Sequence, residues 1–181
     1  MDAAEAPTRD EKIMVGVDGA GIITGQMWNG TSWSALPFNN IATVTFPDHN
    51  GFDVAYESQS GDAMLVWNNN TNGTAGVSYR TWDGSTWSAA QTITVPISGL
   101  AEQMYLAANP KSNEMILLVC DNSSSDYALV WNGSSWGNAI ALGNLSGADT
   151  SLDSHIAYDS QTGNAVVVYD NIAGGNAINY R

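Results

Sequence analysis

Acidic side chains are the most plentiful reactive groups in this 181-residue chain, which carries 18 Asp and Glu against five Lys and Arg. Two of them, Glu57 and Asp159, hold the same place in two near-copies, "VAYESQSGDAMLVWN" (Val54–Asn68) and "IAYDSQTGNAVVVYD" (Ile156–Asp170). A pair of carboxylates is what a glycosidase needs, one as acid and one as base or nucleophile. Asp18, Asn68, Asp121 and Asp170 recur in the same manner, each ending an apolar run. Groups that return with every unit serve the unit, and an Asx side chain closes a turn by bonding its own backbone. Oxygen-rich turns also suit Ca²⁺, the one cofactor such positions could hold, although no spacing here approaches a calcium loop. His49 and His155 stand alone, without a second His or Cys at ligand spacing, so no metal site is expected. Cys120, the single cysteine, lies in "MILLVCD" and reads as an inert residue of a buried strand. The Gly-rich "VDGAGIITG" lacks the strand-to-helix setting of a phosphate loop and reads as a hairpin turn.

Aromatic rings supply a second chemistry. Six of the seven tryptophans sit in three hexapeptides, "WNGTSW" (Trp28–Trp33), "WDGSTW" (Trp82–Trp87) and "WNGSSW" (Trp131–Trp136), about 50 residues apart. One ring per unit at a fixed place can present a stacking platform for sugars, and Trp28, Trp82 and Trp131 are the candidates. A structural reading competes with it. Asn-Gly and Asp-Gly are favoured centres of two-residue type I′ hairpins, with φ positive at both positions. Such turns put Trp28 opposite Thr31 and Gln26 opposite Trp33, leaving the two indoles diagonal neighbours on one face. In the second copy Arg80 falls opposite Trp87, placed for a cation–π contact. The motif then forms a hairpin clamp made by Asn29, Gly30 and Trp33, by Arg80, Asp83, Gly84 and Trp87, and by Asn132, Gly133 and Trp136.

The elements that carry these residues are strands. Alternation and β-branched runs fill the sequence, and no segment shows a 3.6-residue apolar period. A full unit reads as four strands: "FDVAYES", "DAMLVWN", "AGVSYRTW" and "STWSAAQTI". Tandem four-stranded units of this length indicate an all-β chain of antiparallel β-propeller blades, here three and a half to four. We expect a polar tail over 1–11, a partial blade over 12–38, blades over 51–95 and 103–142, and a partial blade over 152–181. At the hairpin, "TWDGSTW" (Thr81–Trp87) resembles the Asp-box of sialidase-like propellers, Ser/Thr-x-Asp-x-Gly-x-Thr-Trp, with the residue between Asp and Gly deleted. The other copies carry Asn29 and Asn132 in place of the Asp. The resemblance implies a bladed fold, and sialidases of that family clamp a carboxylate with three arginines. This chain has only Arg9, Arg80 and Arg181, the last two at equivalent repeat positions, so sialidase catalysis is not expected.

Composition narrows the partners. The net charge of −13 is wrong for nucleic acid, whose phosphates need Lys and Arg, and for anionic membranes. No apolar run approaches the ~20 residues of a membrane helix, and "MDAAEAPTRDEK" has no signal-peptide core. Sequons at Asn29, Asn69, Asn72, Asn122, Asn132 and Asn144 suit an extracellular or cell-surface protein. Incomplete first and last units leave unpaired strand edges, which implies assembly into rings or filaments by strand addition, or membership of a larger propeller. The sequence thus points to a non-enzymatic extracellular interaction module that self-associates. A glycan-binding propeller lectin is the alternative, and a sialidase-like hydrolase a remote one.

Overall fold

The structure, a computed structural model, describes residues 1–38, 40–43, 49–70, 76–123, 125–144, 154–171 and 177–181. Its described residues form fifteen strands in four antiparallel sheets. The first holds β1 (Asp2–Glu5), β2 (Lys12–Val17), β3 (Ile23–Trp28) and β4 (Trp33–Ala35) in chain order. The second holds β5 (Phe52–Tyr56), β6 (Ala63–Asn68), β7 (Val77–Trp82) and β8 (Gln91–Ile93). The third holds β9 (Ala101–Ala108), β10 (Met115–Asp121), β11 (Ser125–Trp131) and β12 (Ile140–Asn144). The fourth holds β13 (Ser154–Tyr158), β14 (Ala165–Asn171) and β15 (Ala177–Tyr180). Each sheet is a meander of consecutive strands. The leading strands lie side by side, β5 against β1 and β9, and β9 against β13. This is the architecture of β-propeller blades.

Three apolar layers fill the spaces between the four sheets. Ile13, Val15 and Ile23 meet Phe52, Val54 and Leu65; Met64, Val66 and Tyr79 meet Met104, Leu117 and Leu129; Ile116 and Leu118 meet Ile156, Val167 and Tyr169. A sheet covered on both faces reads as a continuous apolar run, and β6 and β10 are buried at every residue. In β2, half of the alternation faces outward.

Two expectations are corrected here. The segment expected to be a polar tail contributes β1, which pairs with β2 from Asp2↔Val15 to Glu5↔Lys12, so the first sheet has four strands. Its "DAAE" lacks β-branched residues, and the pairing edge of β2 supplies the order that propensity does not. The hairpin turns also differ from type I′. Trp28 pairs directly with Trp33, Trp82 with Trp87 and Trp131 with Trp136, leaving four-residue loops. Gly30, Gly84 and Gly133 have φ near +90°, whereas Asn29, Asp83 and Asn132 are not among the positive-φ residues. The reason is an Asx turn. Asn29 Oδ1 accepts the Thr31 and Ser32 amides at 3.0 Å each and the Thr31 hydroxyl at 2.8 Å. Asp83 Oδ1 and Asn132 Oδ1 make the same three bonds to their own loops. The hydroxyl after the Gly is therefore part of the turn, which explains the Ser or Thr in every copy.

The indoles do meet, with ring centroids 5.8, 5.6 and 5.6 Å apart. Arg80 does not stack on Trp87 as expected. Its guanidinium lies 4.6 Å from the centroid of Phe38 and donates to the Ser88 carbonyl at 2.5 Å, while Phe38 meets Trp87 edge-on at 5.1 Å. The aromatic run-out of the first sheet offers a closer face than the cross-strand indole.

Candidate functional site

Two of the three hairpin clamps lie at a joint between sheets, and the first, Trp28 with Trp33, does not. Trp82 and Trp87 pack on the layer between the first and second sheets, and Trp131 and Trp136 on the layer between the second and third. The leading indole of each pair reaches back to a carboxylate of the preceding sheet. Trp82 Nε1 donates to Glu11 Oε1 at 3.0 Å, and Trp131 Nε1 donates to Glu57 Oε1 at 2.7 Å. Glu11 is buried and also accepts the Tyr56 hydroxyl at 2.9 Å and Arg9 Nη2 at 2.7 Å. Glu57 accepts the Ser60 hydroxyl at 2.5 Å through its second oxygen.

The joint between the second and third sheets opens into a cavity of 270 Å³, lined among others by Glu57, Thr81, Gln91, Tyr79, Trp131 and Ser134. It adjoins a wider hollow of 560 Å³ that adds Trp136. The ring of Tyr79 packs against both indoles, 5.9 Å from Trp131 at 65° and 6.1 Å from Trp136 at 84°. These edge-to-face contacts fix three rings as one wall, and the Tyr79 hydroxyl donates to Gln91 Oε1 at 3.0 Å. Burial raises the Glu57 carboxyl above its ordinary range, partly opposed by the bonds from Ser60 and Trp131. Burial raises the Tyr79 hydroxyl as well.

Two donors at these joints are buried without a partner among the described residues, Trp136 Nε1 and its counterpart Trp87 Nε1. Arg9 Nε, beside Glu11, shares that condition. A buried donor left unbonded costs roughly 1–3 kcal/mol, so such groups call for an acceptor. A cleft with an aromatic wall, a carboxylate, amide and hydroxyl groups and an unbonded donor can hold a polyol, whose apolar face stacks while its hydroxyls bond.

Trp131 is 6% exposed and Trp28 and Trp82 are half-buried, so each of the three expected platforms has part of its surface against protein. Trp33 is the most open of the six hairpin indoles, at 45%. Asp18 and Asp121 close turns through backbone amides, Asp121 accepting four of them. Glu57 and Asp159 lie on different sheets, and Asp159 bonds its own turn at Gln161 and Thr162. His49 pairs with the buried Glu102 at 2.5 Å, and His155 meets Tyr105 edge-on at 5.6 Å. Asn69 donates to the Ser78 hydroxyl and Asn122 accepts the Leu100 amide. Asn72 and the Asn144 side chain lie outside the described residues. Among the described residues no group of three or more His, Cys, Asp or Glu is placed to hold a metal ion. Glu11, Tyr79 and Gln91 were not singled out from sequence. The "AY" dipeptide before Glu57 and Asp159 carried a signal, since Tyr56 and Tyr158 bond Glu11 and Glu114 of the preceding sheets.

With the blades and their joints defined, the chain takes its place among β-propellers, and solved structures agree. It is similar to a lectin from Burkholderia pseudomallei, with a TM-score of 0.61, 12% identity, and 99% of this chain covering 50% of that one. It is similar to the fucose-specific lectin of Aleuria aurantia, with a TM-score of 0.56, 10% identity, and 99% of this chain covering 53% of that one. A GH62 hydrolase in complex with xylotriose is also similar, with a TM-score of 0.51 and 12% identity over 99% of this chain and 63% of that one. The chain thus spans about half the length of the lectins it matches. No protein-family model and no curated protein matches this sequence.

Proposed function

We propose that the chain is a carbohydrate-binding propeller lectin that takes neutral sugars into the cleft between its second and third sheets. The observation that carries this reading is the Trp136 indole N–H, buried and unbonded at a polar cleft whose two adjoining hollows are lined by Trp131 with Tyr79 and by Tyr79 with Trp136, rings that meet edge to face. No Lys or Arg lines the 270 Å³ cavity, while Glu57 and Asp62 do. An acidic lining disfavours sialic and uronic acids and selects uncharged rings. The likeness to fucose-binding lectins supports a neutral deoxysugar as the first ligand to try. The reading is non-enzymatic, and the sequons at exposed Asn29 and Asn132 suit an extracellular setting.

Titration calorimetry against a panel of neutral and acidic monosaccharides tests it. Binding of a neutral sugar, with no heat from sialic acid, is the expected result. Trp136→Phe keeps the ring and removes the donor, and it should weaken binding roughly tenfold, the worth of about one hydrogen bond. Equal affinity in Trp136→Phe removes the cleft from the argument. Turnover of any glycoside in the panel overturns the non-enzymatic reading.

A further inference from the structure

Three carboxylates hold one repeat position, and one of them has lost the donors that the other two bond. The amides of Ala6, Glu57 and Asn109 donate to the carbonyls of Glu11, Asp62 and Glu114, which makes these three acids equivalent. The next residues, Lys12, Ala63 and Met115, accordingly pair with Trp28, Trp82 and Trp131. Glu11 accepts Trp82 Nε1 and the Tyr56 hydroxyl from the second sheet. Glu114 accepts the Tyr158 hydroxyl from the fourth sheet at 3.4 Å. At the joint of the second and third sheets both donors are withdrawn. Trp131 bonds Glu57 instead of Asp62. The tyrosine is replaced by Ala108, since Tyr56 pairs with Ala63, Tyr158 with Ala165 and Ala108 with Met115. Met115 fills that row with an apolar side chain that donates nothing.

Asp62 nevertheless lines the 270 Å³ cavity and is half-buried. Among the described residues neither of its carboxylate oxygens accepts a hydrogen bond. Both Glu57 oxygens, by contrast, are taken by Trp131 and Ser60. Burial raises the Asp62 carboxyl above its ordinary range, with Arg9 opposing the rise and Asp83 adding to it. A desolvated carboxylate without donors calls for them.

We infer that Asp62 binds the ligand of this cleft by accepting two neighbouring hydroxyls of a neutral sugar, and that Ala108, in the place of a tyrosine, leaves it free to do so. Each carboxylate oxygen takes one hydroxyl in a charge-assisted bond, which selects for a vicinal diol. This contact presupposes the sugar-binding cleft proposed for the joint and assigns the residue that discriminates among neutral sugars there.

Calorimetric titration with the methyl glycosides of galactose, mannose and glucose, and with monodeoxy analogues of the one that binds best, decides it. Asp62→Asn keeps the shape of the side chain but removes its charge and one acceptor oxygen, and it should weaken binding roughly tenfold or more. Two analogues lacking adjacent hydroxyls should bind the wild type about tenfold more weakly than the parent glycoside. The variant should discriminate against them less, which a purely structural Asp62 would not produce. A second variant rebuilds the closed joint, with Asp62→Glu, Ala108→Tyr and Met115→Ala copying Glu11, Tyr56 and Ala63. It should unfold at no lower temperature than the wild type and give no heat with any of the three glycosides. Binding that Asp62→Asn leaves unchanged overturns the inference alone, and the sugar-binding cleft stands. So does a folded triple variant with wild-type affinity. A wild type that gives no heat with any of the three glycosides overturns both.

Discussion

Asp53 shows how far one side chain's surroundings reset its chemistry. Burial and the neighbouring Asp2 push its carboxyl up to about 9, against the depression from the amides of Val54 and Leu106 that it accepts at 2.6 and 2.5 Å. The folded chain therefore holds a proton that the unfolded chain releases near the ordinary aspartate value, ~3.9. Its contribution to stability is fully present below about pH 4 and is lost as pH rises toward about 9. Asp53→Asn keeps an oxygen for one of the two amides and, like the protonated acid, carries no charge at any pH in this window, so its melting temperature should fall less than that of the wild type as pH rises. Parallel melting curves for the two proteins would remove Asp53 from the account. None of this was legible in sequence, because "FDVAYES" places Asp53 in a strand but does not show the Asp2 brought beside it. Cys120 was legible, since the apolar run around it placed it in the core, where burial raises its thiol and makes it a poor nucleophile.

The hairpin clamp shows what an element adds to its residues. Its existence and its indole pairing follow from the spelling, but its turn type does not, because Asn-Gly fits both a two-residue and a four-residue loop. The hydroxyl after the glycine decides between them by bonding the Asx side chain. In the second copy these bonds, the Thr86 amide first, hold the Asp83 carboxyl well below the usual carboxylate range. Gly84, with φ +90°, is the residue that sets the loop's direction. Added carbon at Gly84 would meet only the Arg9 guanidinium at ordinary contact, so the backbone conformation and not space limits substitution. Gly84→Val should destabilise the fold by about 1 kcal/mol or more, read as a lowered urea midpoint. An unchanged midpoint would show that the loop accepts another backbone conformation.

At the scale of the whole chain, a count of three and a half to four blades was legible from the 50-residue period, and the described strands form three four-stranded sheets and one of three. The first sheet's leading strand was hidden by its composition, and the inter-sheet carboxylate bonds by the distance along the chain that separates their partners. Stability resides in the layers. Leu117 is fully buried between the second and third sheets, and Leu117→Ala should cost roughly 2–5 kcal/mol in chemical denaturation. A smaller loss would mean that Met64, Met104 and Met115 collapse into the space. The meander order of every sheet carries a consequence for synthesis. Hydrogen-bonded neighbours are also neighbours in sequence, so a chain leaving the ribosome can close each blade before the next is translated. What it cannot do alone is cover the newest blade, whose greasy side stays wet until the following one emerges. The nascent protein therefore advances with a single sticky front, which moves from Met64 and Val66 to Ile116 and Leu118 and, with the fourth sheet, to Val166 and Val168.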